Sequence, residues 1–203
     1  LVIDALLTGH GRAWLSGHLS WPDAAMVESA LVPGEPQGFG SAAALLGLLR
    51  QATGWRCIEV EEDLADEIAP EFERVWGPVT RVVDVIHSLP RPAPSPTHVL
   101  VQELRATDLT RAPATPDLLP DLHLVTHAAD AGRVYVAVDE GVIVGHGKAL
   151  AAGRTFADVG VHVAESYRGQ GIATTAAARA CQAVQRAGLI PVWDTSSANL
   201  ASL

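Results

Sequence analysis

Two periodicities divide the chain. Between residues 42 and 76, apolar side chains recur at helical spacing, first as Leu45, Leu46, Leu48 and Leu49 and then as Leu64, Ile68, Phe72 and Val75. That spacing lays one apolar stripe along each of two helices. Gly38-Phe39-Gly40-Ser41 is expected to open the first, with Ser41 as its cap and Gly54 as its stop; Asp63 is expected to cap the second, which Gly77-Pro78 ends. Runs with strand character flank them at residues 24–32, 55–60 and 80–86, and Pro33-Gly34-Glu35-Pro36 reads as a turn. Residues 1–7 read as a short helix or strand followed by a loop through Gly11. Trp14 and Trp21 read as core or domain-contact residues.

After residue 98 a period of two takes over. Residues 98–104 predict a strand, Asp108 a short helix, and residues 122–129 a further helix beyond the breaks at Pro113, Pro116 and Pro120. Residues 134–138 and 142–145 predict a hairpin around Asp139-Glu140-Gly141, its second strand running on through residues 148–152. Residues 155–163 form the third antiparallel strand, in which Val159, Val161 and Val163 alternate with Asp158, Gly160 and His162. A glycine pair follows, and then a helix with Thr175, Arg179, Gln182 and Arg186 on one stripe and Ala176, Ala177, Ala180, Cys181 and Val184 on the other. Gly188 stops it, residues 189–194 predict a strand, residues 195–199 a polar loop, and residues 200–203 the start of a helix. Residues 90–96 hold four prolines and read as an extended linker. The expected organisation is therefore an N-terminal segment over 1–89, a linker over 90–97 and a second domain over 98–203.

Composition narrows the function classes. The 203 residues suffice for one large or two small domains, and a 48% apolar share supports a real core. No run of eighteen apolar residues predicts a membrane span, and the opening stretch carries Asp4 without a basic leader, so a cytoplasmic protein with no membrane partner is expected. Cys57 and Cys181 are expected to be buried thiols. The eight histidines are scattered without zinc spacing, so no metal is expected. A net charge of −9 argues against nucleic acid as a partner and is compatible with a cationic substrate.

The sequence Arg168-Gly169-Gln170-Gly171-Ile172-Ala173 follows the alternating strand and opens a helix. A helix N-terminus presents unpaired N–H groups and the positive end of its dipole, and small residues let a phosphate approach the main chain. The pattern is neither the three-glycine dinucleotide fingerprint nor a Walker loop, since no Lys-Ser or Lys-Thr follows the last glycine. Arg168, Gly171 and Ala173, spaced Arg-x-x-Gly-x-Ala, resemble the acyl-CoA-binding motif of the GNAT superfamily, the GCN5-related N-acetyltransferases. The resemblance runs from about Val99 to Leu203. It implies an α/β fold, with a mixed, mostly antiparallel central sheet flanked by helices, here with an additional N-terminal α/β segment. The order strand, Gly-x-Gly, helix, strand, helix, strand in that segment fits a degenerate half-repeat of the same fold, or an unrelated α/β segment. It is not expected to bind CoA.

The resemblance further implies an acyl-CoA-dependent N-acyltransferase, with acetyl-CoA as cosubstrate and a primary amine of a small molecule or peptide as acceptor. A homodimer is compatible with it. Val161 and Val163 would offer backbone groups to the pantetheine amides and the thioester. Arg168, Gly169, Gln170, Gly171, Ile172, Ala173 and Thr174 would hold the pyrophosphate, and Asn199 the pantetheine arm, with Ser202 secondary. Asp158 shares the parity of the cleft and can take the ammonium proton directly or through water, or be an ordinary strand-end carboxylate. His162 has the same parity and can serve instead, or be structural. The family tyrosine that protonates the departing thiolate has no counterpart in Tyr135 or Tyr167; its position, with a helix and two strands, is expected beyond Leu203. A non-catalytic acyl-CoA-binding regulatory module is the alternative, and a nucleotide-phosphate binder a third reading.

Overall fold

The computed structural model describes Leu6, Gly9 and residues 11–104, 113–130 and 133–203. The readings of residues 1–5 and of a short helix from Asp108 lie outside the described residues. The chain forms two compact units, Val2–Val82 and Val83–Leu203. Among the described residues no helix is long and apolar enough to cross a membrane.

Among the described residues, the first unit is a three-stranded antiparallel sheet, β1 (Gly11–His18), β2 (Trp21–Ser29) and β3 (Gln37–Gly40), with two helices, α1 (Ala42–Gln51) and α2 (Glu62–Trp76). Its core gathers Met26, Leu45, Leu49, Ile68 and Phe72, and the helical stripes read from the sequence supply four of these. Trp55, Phe72 and Trp76 close it as a ring cluster with centroids 4.7–5.5 Å apart. Several local readings change. β1 lies partly where a loop was expected. Trp14 packs on the core, while Trp21 is 86% exposed. Gly38 to Gly40 belong to a strand, and the Ser41 cap position makes no side-chain bond. α2 starts at Glu62, so Asp63 sits inside its first turn. The strand expected over 55–60 reduces to a single bridge between Gln37 and Glu59. Cys57 is exposed, unlike Cys181.

The second unit carries a six-stranded mixed sheet in the order β4-β9-β8-β7-β6-β5. Its strands are β4 (Asp84–Ser88), β5 (Val101–Glu103), β6 (Val134–Asp139), β7 (Val142–Ala152), β8 (Phe156–Val163) and β9 (Ile190–Ser196). All neighbours are antiparallel except β8 and β9. Helix α3 (Leu122–Asp130) covers one face through Val125 and Ala128 against Val134 and Val136. Helix α4 (Ile172–Arg186) covers the other through Ile172, Ala176, Ala180 and Val184. The close fit of α4 depends on Gly147 of β7, where an added Cβ would stand 2.5 Å from the Ala176 carbonyl.

β4 starts four residues later than the strand expected over 80–86 and ends two residues beyond it, and it pairs with β9 in the second unit's sheet. The units therefore divide ahead of the prolines. The proline-rich stretch is itself bound down. Gln185 accepts from the Ala93 N–H and donates to the Leu89 and Arg91 carbonyls, and Gln182 donates to Pro94 and Ser95. The polar stripe of α4 explains why an extended segment is held there: its glutamines satisfy backbone groups that the alternating prolines leave without a strand partner.

A fragment of residues 83–203 should remain folded, whereas one starting at residue 98 loses β4 and bares the β9 edge. Five cross-strand pairs are lost, so thermal melting should report about 1–5 kcal/mol less stability. Equal stability of the two fragments would show that β4 is dispensable.

Candidate functional site

The sheet of the second unit opens along one seam. β8 and β9 pair at Phe156–Ile190, Ala157–Pro191 and Asp158–Val192, and among the described residues no further pair joins them. Beyond that point β8 stays with β7 as far as Val163, and β9 stays with β4 as far as Ser196. The strands part, leaving a cleft between their C-terminal halves.

Backbone directions along β8 follow from two bonds. The Ala164 N–H donates to the Val144 carbonyl on the β7 side, and the Thr155 carbonyl accepts from Ile190 on the β9 side. Main-chain groups alternate between neighbours, so those of Val159, Val161 and Val163 face β9. For Val161 and Val163 that direction is the cleft. The Val163 carbonyl accepts from Arg168 Nε at 3.2 Å. The side chains of Val159 and Val163 are buried under α4, but Val161 is 41% exposed, because the strand that would cover it has turned away. Of the two valines expected to offer backbone groups, Val163 alone is also a core residue.

The cradle stands at the end of the same strand. A 3-10 turn (Glu165–Tyr167) leads to Arg168, whose bond to Val163 ties the loop to β8. Gly169 and Gly171 have φ of 75° and 81°, a left-handed backbone that side chains disfavour, and neither would meet an atom within 4 Å through an added Cβ. Gly171 is the N-cap of α4, and its carbonyl accepts the first helical bond, from Thr175. The N–H groups of Ile172, Ala173 and Thr174 precede that bond and have no partner within the helix. Ala173 and Thr174 are exposed at this end. The Ile172 side chain is in the core, so only its main chain can serve a ligand. Gln170 donates to the Ser166 carbonyl at 3.4 Å, within the loop.

Asn199 does not precede a helix. Residues 198–202 form turns, in which the Asn199 amide donates to Ser202 Oγ at 3.0 Å. The two tyrosines are engaged elsewhere: Tyr135 accepts from Arg186, and Tyr167 donates to Asp139 at 2.9 Å.

Opposite α4, the even-numbered face of β8 carries Asp158, Gly160 and His162. Asp158 sits at the last pair before the strands part. His162 lies four residues on, about 13 Å along the strand, with its ring 6.0 Å from His146 of β7. The two candidate bases share a face but not a position. Burial raises the Asp158 carboxyl above the usual range, and Asp194 of β9 raises it further, while Lys148 works in the other direction. Lys148 is only 6% exposed, and its ammonium end lies 3.8 Å from where a Gly160 Cβ would be. Sequence reading overlooked Lys148, His146 and Asp194. The visible signal was a lysine and a histidine inside an apolar strand; Asp194 had none, since it closes an ordinary strand.

The acetyltransferase (GNAT) family model matches residues 99–203. Solved structures share the architecture. A GCN5-related N-acetyltransferase-like protein from Streptococcus suis 89/1591 superposes with a TM-score of 0.62 at 16% identity, over 96% of this chain and 82% of that one. A GNAT-family acetyltransferase from Colwellia psychrerythraea gives 0.59 at 16%, over 98% and 79%. A GCN5-related N-acetyltransferase from Kribbella flavida gives 0.58 at 16%, over 94% and 83%. At such identities the likeness concerns the fold. No curated protein matches the sequence.

Two outcomes are expected. Gly171→Glu puts a side chain on a left-handed backbone and a negative charge at the α4 N-terminus, so calorimetric titration with CoA should lose binding while circular dichroism stays folded; unchanged affinity would remove the cradle from the site. The second concerns stability. A carboxyl whose folded pKa is raised contributes stability that is fully present below its unfolded pKa and lost as pH rises through the folded value. Asp158→Asn should flatten that decline in melting temperature above the ordinary carboxylate range. An unchanged pH profile would contradict the burial argument.

Proposed function

The chain belongs to the acetyltransferase (GNAT) family, and on that premise we propose that it is an N-acetyltransferase that moves an acetyl group from acetyl-CoA to a primary amine. The observation that carries the reading is the parting of β8 from β9 after Asp158, with the main-chain groups of Val161 turned into the opening and the Gly169–Thr174 turn at its end. A strand edge without a neighbour can accept an extended amide chain as a further strand would, and pantetheine is such a chain. Amides at the α4 N-terminus suit a pyrophosphate, with Arg168 ordering the loop that presents them.

Acetyl-CoA supplies the reactive thioester. The amine nitrogen forms a bond to its carbonyl carbon, the C–S bond breaks, the acetyl group stays on nitrogen as an amide, and the sulfur leaves and takes up a proton. Before attack the acceptor ammonium must lose a proton. Asp158 is placed to receive it, directly or through water, since its raised carboxyl is a stronger proton acceptor than an ordinary aspartate. The Val161 N–H faces the cleft where negative charge develops on the carbonyl oxygen; one such donor is typically worth about 2.7–4 kcal/mol of barrier. His162 is farther along the strand, beside His146, which favours a structural role.

The engagement of Tyr135 and Tyr167 with Arg186 and Asp139 supports a second reading, in which the chain binds acyl-CoA without turnover. An assay of thiol release from acetyl-CoA over a panel of amines separates the two. Asp158→Asn should lower kcat/KM by about 10²–10⁴, most severely where the wild-type carboxylate is ionised, with CoA affinity little changed. His162→Asn should keep most of the activity. The reverse result would transfer the base to His162, and no thiol release with any amine would favour the binding module.

A further inference from the structure

The face of the sheet that carries Asp158 also carries an uncovered apolar patch. Ile86 of β4 is 77% exposed and lies directly beside Asp194 of β9. Phe156 of β8 is 49% exposed and precedes Asp158 by two residues on the same face. Val192 joins them, since it pairs with Asp158 on one side and with Ser88 on the other. A shallow cavity is lined by Ile86, His87, Ser88, Phe156 and Val192. Strand alternation puts Val192 and Asp194 on one face, two residues or about 7 Å apart, so the apolar floor runs into both carboxylates where the strands part.

We infer that the acceptor is a primary amine carried on an apolar group, with its ammonium held between Asp158 and Asp194 and its apolar body on Ile86, Phe156 and Val192. This rests on the acyltransferase reading and adds the substrate class. The geometry selects the head group: Asp158 closes the last β8–β9 pair, and Asp194 follows two residues after its partner Val192 on the same face, so two carboxylates flank the point where the strands part and suit a cation. The patch selects the tail, because water-exposed Ile and Phe side chains gain by being covered with hydrocarbon and gain nothing from a hydroxyl or a second charge. Lys148 lies over Gly160, the end of its side chain 3.7–3.8 Å from where a side chain there would begin. An acceptor bound this way holds its nitrogen at the mouth of the cleft.

The test compares hexylamine and phenethylamine with ethanolamine and spermidine, by thiol release and by calorimetric titration of each amine, with acetyl-CoA or CoA binding measured separately. The apolar monoamines should show kcat/KM at least about tenfold above ethanolamine and should bind measurably on their own. Ile86→Ser combined with Phe156→Ser should erase that preference without changing CoA affinity; Ile86→Ser alone, at an exposed position, should reduce it if the double variant fails to fold. Asp194→Asn should raise KM for hexylamine about tenfold without changing CoA affinity. CoA binding with ethanolamine or spermidine used as well as hexylamine, or a preference that survives both Ile86 variants, would overturn the inference and leave the acyltransferase reading standing. Failure to bind CoA would overturn both.

Discussion

β8 cannot keep both of its neighbours. To one side it follows β7 for its whole length; to the other it leaves β9 after Asp158, while β9 stays with β4 to its end. Every element of the site depends on that parting. It turns the main-chain groups of Val161 into open space, exposes a valine that alternation would otherwise bury, and places Asp158 at the apex. A buried strand edge normally costs unpaired amides. Here the edge is open to solvent at Val161, and the Val163 carbonyl is satisfied by Arg168.

Two close fits keep the cleft where it is. α4 can lie against β7 only because Gly147 leaves room for the Ala176 main chain, and the alanines along its inner face let the rest of the helix follow. The same contact fixes where the helix starts, and hence where its unpaired amides point. On the far side β4 covers the outer edge of β9, and the proline-rich segment after it is fastened to α4 through Gln182 and Gln185. The segment expected as a linker is thus part of the second unit's surface. Prolines make it extended, but hydrogen bonds to a helix decide whether it is a tether or a strap.

The sequence by itself determined the elements with strong period: the leucine stripe of α1, the hairpin of β6 and β7 with Gly141 in its turn, the valine strand β8, and the glycine turn that opens α4. Local chemistry sets these, because side-chain spacing and positive φ are properties of neighbouring residues. It also placed Asp158 and His162 on one face. Weakly patterned pieces were misread for the same reason. β1 mixes Arg12, Trp14 and Ser16 without clear alternation, and residues 55–60 look apolar enough for a strand yet form only an isolated bridge, between Gln37 and Glu59.

What only the tertiary structure decided are relations between strands distant in sequence. Nothing local to residues 84–88 says that they pair with residues 192–196, or that Asp194 therefore comes beside Asp158 and Ile86. Nothing in the valine alternation says that Val161 is exposed, since burial on a strand face depends on whether the next strand is present. The proton affinity of Asp158 follows from its burial and from Asp194 and Lys148, which lie on two other strands. Register and strand parting are set by packing over the whole sheet, so a sequence can declare a strand and its faces while leaving its neighbours, and the site between them, to the fold.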